Sequence, residues 1–316
     1  MTPDLTRAVV LARYGAATAG LNWAPVGGGF SGAAVWRGAD PRGIPVFALK
    51  GWSANFPAHQ LRAIHARVAL LSHLPFVPRI QATPEGDTVV EAGGRAWDLT
   101  AWADGEPERG VPSAARVAAA AAALAAVHAA WRPTAPVFAA CPAVHRRLRV
   151  LADWDAARAG RWSERPVGPL REVMRRAVER LPRSVAAARA ALQPWATQAV
   201  PLQPCLVDVW PEHVRFEDDR VAGLIDFGAV QDDHVATDLA RLFAGFPGPD
   251  VFPAALAAYR IAGGHLAEPD AFVRLLADTG VVCAAASWLV RIRAGRVPPD
   301  PAAVAARLGG LLDRLP

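Results

Sequence analysis

"CLVDVWPEHVRFEDDRVAGLIDFGAVQDDHVATDLARL" occupies residues 205–242, and its two short apolar runs, each closing on an aspartate, decide how the chain is read. Asp208 ends "CLVD" and Asp226 ends "GLID", with a turn around "EDDR" (217–220) between them. Apolar runs flanking a polar turn predict a hairpin, which brings both carboxylates to one edge of a small sheet. An acid inside "LIDFG" is costly unless it is used. Two carboxylates so placed suit two jobs. One accepts a proton from, or orients, a hydroxyl nucleophile, and the other holds a hard cation such as magnesium. The plainer alternative is a surface hairpin with incidental acids.

Upstream, "VFALKGW" (46–52) contains Lys50, the only lysine among thirty-four Lys and Arg residues. An ammonium is a compact point charge on a flexible stem, whereas guanidinium is a planar fork. A chain that otherwise writes arginine keeps a lysine where a point charge is wanted, for example on the α/β-phosphates of a nucleotide. The other reading is a lysine that drift has left at a strand end. Before it, "VGGGFSG" (26–32) sits between two strand-like runs. Gly27, Gly28, Gly29 and Gly32, with Ser31, let backbone N–H groups approach a phosphate closely. A glycine-rich hairpin with no ligand is equally compatible with that stretch alone.

Around these pieces the first hundred residues read as strands and turns with one helix. Strands are expected on both sides of the glycine turn in 22–38 and again in 45–52. A helix is expected from Pro57 to Leu74, where Leu61, Ile64, Val68 and Leu71 recur at helical spacing. "DTVVEAGGRAWDLTAWADG" (87–105) reads as a hairpin turning at Gly93-Gly94. Beyond Gly105 the chain becomes helical: an alanine-rich helix from Ser113, its N-cap, to Trp131, and further helices to about Trp195. Strands return at 204–230 and helices from Phe252. The expected fold is α+β and bilobal, with a β-rich lobe in 1–103, a mainly helical lobe in 104–316, and the site in the cleft between them.

Composition removes several classes. With 53% hydrophobic and 20% charged residues in 316, the chain reads as globular rather than disordered. The longest apolar run, Val117–Ala130, is mostly alanine and reads as a packed helix rather than a bilayer span. The opening residues carry an early acid and no basic stretch, so no secretory leader is expected. Cys141, Cys205 and Cys283 are odd in number and widely spaced, which points to a reducing cytoplasm and neither disulfides nor zinc. The net charge of +5 comes from scattered arginines, so no nucleic-acid partner is expected, and the arginine, alanine and proline bias fits a GC-rich genome.

In order along the chain, these motifs resemble the aminoglycoside phosphotransferase and choline kinase family, relatives of the protein kinases. That family's catalytic loop reads HGDxHxxN, followed by a hairpin and IDFG or IDWG. The resemblance spans about residues 22–245 and implies a protein-kinase-like fold. It makes Asp208 the catalytic aspartate, Asp226 the metal-binding aspartate and Lys50 the nucleotide-binding lysine. It makes Asp238, in "ATDLARL", the acid that braces the catalytic loop. "VGGGFSG" stands where the family covers the phosphates, and "DLTAWADGEP" (98–107) where a hinge meets adenine, implicating Thr100 and Trp102. The implied reaction is transfer of the γ-phosphoryl group of ATP, with Mg²⁺, to a hydroxyl of a small-molecule acceptor.

The chain departs from the pattern at three places. His213 replaces the asparagine that supplies the second metal ligand, which opens the site to Mn²⁺ and leaves metal binding, phosphate contact or packing as roles for the imidazole. Leu206 replaces the histidine that opens the loop, and no acid lies between Lys50 and Glu85 to pair with the lysine. His65 and Gln60 occupy the helix where that acid is expected. A pseudokinase, binding nucleotide or a partner without transfer, is therefore the alternative to an enzyme. From Arg241 onward eight arginines face six acids, which disfavours a polycationic acceptor. Trp210, and Trp288 with Arg291 on a late helix, are candidate acceptor contacts, although a Trp-packed helix with solvated arginines accounts for the latter pair as well. The chain is expected to work as a monomer or homodimer without a membrane.

Overall fold

Large apolar side chains at every second position of "RAWDLTA" and "PVFALKG" give the N-terminal sheet its buried face and leave the alternate positions for chemistry. The computed structural model describes residues 3–27, 32–159, 168–296 and 300–315. Gly28, Gly29 and Ser31 of the glycine turn lie outside the described residues.

In chain order the elements begin with α1 (Pro3–Arg13), β1 (Asn22–Val26), β2 (Ala34–Ala39), β3 (Pro45–Gly51) and α2 (Ala58–Ala69). Next come β4 (Ile80–Gln81), β5 (Val90–Ala92), β6 (Arg95–Ala101), β7 (Glu106–Pro107), α3 (Ala114–Trp131) and β8 (Val137–Ala140). The helices α4 (Pro142–Ala159) and α5 (Pro169–Leu192) lead to β9 (Ala199–Cys205), β10 (Val214–Glu217), β11 (Arg220–Leu224) and β12 (Gln231–Asp233). The chain closes with α6 (Ala236–Phe243), α7 (Val251–Ile261), α8 (Asp270–Arg293) and α9 (Pro301–Asp313). The fold is mixed α+β, with an antiparallel sheet in the N-terminal region and a helical C-terminal part. It packs as two compact units. The first comprises Met1–Trp131, Asp208–Gln231 and Phe246–Gly264, and the second Arg132–Val207, Asp232–Gly245 and His265–Pro316.

In the first unit the main sheet runs β1-β2-β3-β6-β4, with β5 added to β6. Leu49 of β3 pairs with Leu99 of β6, and Lys50 with Asp98, so neighbouring pairs face opposite sides. One side carries Trp36, Leu49, Trp97 and Leu99, closed over by Val10 of α1 and by Tyr14 just after it. Trp36 and Trp97 stack at 5.5 Å. Helix α1 goes beyond the single helix expected in this region. Its signal was present, since Thr6, Val10 and Tyr14 recur every four residues and all three are buried. The other side of the sheet packs Trp52, Val89 and Ala96 against Leu61 of α2. The β5–β6 hairpin turns at Gly93-Gly94, both with positive φ, as a two-residue primed turn requires. Helix α2 ends at Ala69, short of the expected Leu74.

A second sheet of this unit has the order β11-β10-β7. Its hairpin tip is fixed to the start of α3: Ser113 donates its hydroxyl to Asp219 at 2.9 Å, and Arg116 donates to the Asp218 carbonyl at 2.8 Å. Ser113 Oγ also accepts from the Arg116 N–H at 3.1 Å, the N-cap bond expected from the sequence.

In the second unit α8 packs against α4, α5, α6 and α9 beside the sheet β12-β9-β8. Asp233 is fully buried, and its carboxylate accepts from the Ala143 N–H and from Arg146. The three cysteines are free and buried, and burial pushes the Cys141 and Cys283 thiols up to about 11. By length and composition α3, the helix expected to be too short for a bilayer, and α8 are both able to cross one, with mean hydropathies of 1.4 and 1.5. About half of each is buried inside the protein instead, α3 against α7.

Replacing Ser113 removes a cap and a tether to the hairpin together. Ser113→Ala is expected to lower unfolding free energy by about 1 kcal/mol in urea denaturation. An unchanged midpoint would show that neither the Ser113 cap nor its bond to Asp219 contributes to stability.

Candidate functional site

The alternation of β3 and β6 puts Ala48, Lys50, Asp98 and Thr100 on one face, and there they line a cavity of about 250 Å³. Val26 and Val35 line it from β1 and β2, and Leu61, Ile64, His65 and Val68 from α2. Trp102, Ala103, Arg215, Ile225, Asp226, Phe227 and Gly228 line it as well. The walls are largely apolar, with two cations and two acids set into them. Such a cavity suits a flat apolar group attached to an anion.

Asp226 follows β11 with a left-handed backbone, φ 66 and ψ 63, uncommon outside glycine though tolerated best by Asp and Asn. Its Oδ1 lies 2.9 Å from Lys50 Nζ. The missing helix acid thus does not leave Lys50 without a partner. Burial pushes the Asp226 carboxyl up, but the Lys50 ammonium and its hydrogen bond more than offset this and hold it below the ordinary carboxylate range. The β10–β11 hairpin also brings His213 to Asp226, with Nε2 3.8 Å from Oδ2. His213 Nδ1 is buried without a hydrogen-bond partner among the described residues.

Trp210 donates its indole N–H to Asp208 Oδ1 at 3.0 Å, so the candidate catalytic carboxylate is oriented by the residue considered as an acceptor contact. Just before it, the N–H groups of Leu206 and Val207 donate to the two oxygens of Asp238, each at 2.7 Å. The fully buried Asp238 therefore grips the chain immediately before Asp208. Val207 occupies the place of the glycine in the resembled motif and has φ 65, a strained value for a β-branched residue.

Other candidates fall out as follows. Lys50, Thr100, Trp102 and Asp226 share the cavity. Gly27 and Gly32 are exposed; Gly32 has φ 71, and its carbonyl accepts from Arg95 at 3.3 Å. The Trp102 N–H is already given to Val46 O at 2.8 Å, so a base meeting this stretch must use other groups. Trp288 is buried on α8 of the second unit, with the Arg291 guanidinium 5.2 Å from its ring centre. Four cavity residues escaped the sequence reading in these roles. Arg215, on β10, has a buried Nε without a partner among the described residues. Trp52, His65 and Asp98 are joined by hydrogen bonds behind Lys50. The signal for Asp98 was an acid within an apolar strand, the same argument that singled out Asp226.

A mixed α+β fold presenting a cavity with a lysine–aspartate pair is that of the kinase-like small-molecule phosphotransferases. The chain belongs to the phosphotransferase enzyme family APH, whose sequence profile matches residues 22–276, and it is thus a kinase-type enzyme acting on small molecules. No curated protein sequence matches it significantly. Among solved structures it is similar to spectinomycin phosphotransferase in complex with ADP and spectinomycin, at 10% identity and TM-score 0.68, over 100% of this chain and 99% of that one. It is also similar to an amicoumacin kinase in complex with AMP-PNP, Ca²⁺ and its ligand, at 11% identity and TM-score 0.67, over 100% and 95% of the chains. A choline/ethanolamine kinase family protein from Mesorhizobium loti aligns at 16% identity and TM-score 0.60, over 98% and 94%.

The left-handed Val207 yields a direct test. Val207→Gly is expected to raise unfolding free energy by about 1 kcal/mol through release of backbone strain. A lower melting temperature would show that the lost packing of the Val207 side chain and the entropy of glycine outweigh the strain.

Proposed function

We propose that the chain transfers the γ-phosphoryl group of ATP to a hydroxyl of a small molecule. The observation that carries this reading is the Lys50–Asp226 pair, 2.9 Å apart in the wall of the apolar cavity. An ammonium has three donors; one meets Asp226, and the others are available to phosphate oxygens. The apolar walls from Val26 to Ile225 suit a purine, and Arg215 adds a second cation near the hinge segment 100–103. Gly27 to Gly32, including Gly28, Gly29 and Ser31, are proposed to cover the phosphates.

A divalent cation fits Asp226 and His213. Their facing atoms are 3.8 Å apart, too far for a hydrogen bond. That gap is close to what two donors span when each sits about 2.1 Å from a shared ion. An imidazole in the set favours Mn²⁺ more than an all-oxygen site would, with Mg²⁺ the family's ion. Bound there, the cation would neutralise charge on the phosphates. Asp208, oriented by Trp210, is proposed to accept the hydroxyl proton as transfer proceeds, and Asp238 to keep its backbone in place. Trp288 and Arg291 stand as proposed acceptor contacts. A pseudokinase is less well supported, since Lys50, Asp208 and Asp226 are all retained and the lysine has an acidic partner. Action in the cytoplasm, as a monomer or homodimer, completes the proposal.

The test is phosphoryl transfer from γ-labelled ATP to a panel of hydroxylated small molecules, with Mg²⁺ or Mn²⁺. Asp208→Asn should lower turnover at least about 100-fold while leaving nucleotide affinity within a few-fold of wild type. Labelled product formed equally by the variant would remove Asp208 from the chemistry. Nucleotide bound tightly with no product from any acceptor would favour the pseudokinase.

A further inference from the structure

We infer that His65, Asp98 and Trp52 form a positioning relay that keeps the Lys50 ammonium aimed at Asp226, the task for which α2 carries no acid. The inference rests on the proposed role of Lys50 as the phosphate-binding cation.

The relay begins on α2. His65 is buried, its Nδ1 2.9 Å from Thr88 Oγ1 and its Nε2 3.1 Å from Asp98 Oδ2. Facing a carboxylate, Nε2 carries the proton and donates. The other oxygen of Asp98 accepts from the Trp52 indole N–H at 2.9 Å. Asp98 is only 6% exposed, yet each oxygen has a donor, which is how a buried carboxylate is tolerated.

Lys50 and Asp98 stand directly opposite each other on adjacent strands and on the same face. Cross-strand partners of opposite charge attract, so Asp98 is the carboxylate the lysine would meet first. The ammonium instead bonds Asp226. His65 and Trp52 favour this choice, because each already donates to one oxygen of the competing acid and lowers its demand for a further donor. Trp52 then acts a second time: Lys50 Nζ lies 3.9 Å from the centre of its ring, where the π-face attracts a cation. The ring itself is held by the bond to Asp98, by Phe56 stacked at 4.5 Å, and by Gly228, where any side chain would run into the indole. The relay therefore screens Lys50 from the wrong carboxylate and supports it toward the right one.

Because Lys50 is the only lysine, protein grown with lysine labelled at Cε should give one side-chain resonance, a direct report on this ammonium. In wild type, its Hε protons should lie upfield of free lysine, under the Trp52 ring. Trp52→Phe, which keeps a ring but loses the N–H, and His65→Leu should each move the resonance and weaken AMP-PNP binding about tenfold. His65→Gln, which retains a donor, should restore much of both. Two results overturn the relay: a wild-type resonance at the free-lysine position, or an unshifted resonance and unchanged affinity in folded Trp52→Phe and His65→Leu. A resonance that responds to His65→Leu in a protein that binds no nucleotide would sustain the relay while refuting the nucleotide reading.

Discussion

The ion pair between Lys50 and Asp226 is the contact on which the rest of the candidate site depends. It joins the third strand of the main sheet to the segment after a distant hairpin, residues 176 apart in sequence. An exposed pair of this kind contributes little stability by itself, and Asp226 is 41% exposed. Its weight is in placement. The lysine is directed by period-two alternation in β3, and the aspartate by a left-handed turn that the β10–β11 ladder ends on. Neither group is placed by its immediate neighbours in sequence.

Around that pair the chain manages four buried or half-buried acids by different means. Asp226 keeps its charge because an ammonium adjoins it. Asp98 keeps a place in the sheet because an indole and an imidazole donate to it. Asp238 is satisfied by two backbone N–H groups and in return fixes the turn before Asp208. Asp233, in the second unit, is matched by Arg146 and by the start of α4. Each is a carboxylate whose desolvation is offset by directed donors, and in all four cases those donors come from a different part of the chain.

Much of this was legible in the sequence. Strand alternation in "PVFALKG" and "RAWDLTA", the Gly93-Gly94 turn, the Ser113 cap and the 204–230 strands all follow from local patterns, and the structure carries them. Helix α1 was legible too, in the spacing of Thr6, Val10 and Tyr14, but those residues declare themselves core only once the sheet they cover is known. What local patterns do not contain is cross-strand register. That Lys50 stands opposite Asp98, and that Asp98 bonds His65 and Trp52 instead, depends on which residue of β6 pairs with which of β3. No acid on α2 meets Lys50, because its partner is Asp226, on a separate segment. Val207 was hidden for another reason, since a positive φ at a β-branched residue runs against every local preference.

The central claim, that the cavity beside Lys50 binds a nucleotide through its phosphates, is tested most directly by calorimetric titration of AMP-PNP into wild type and Lys50→Ala, with adenosine as a phosphate-free control. The account predicts saturable AMP-PNP binding to wild type that weakens at least about tenfold in the variant, the loss expected for one charge-assisted contact. Adenosine binding should change little. Equal AMP-PNP affinity in the two proteins, or none in wild type, would contradict it.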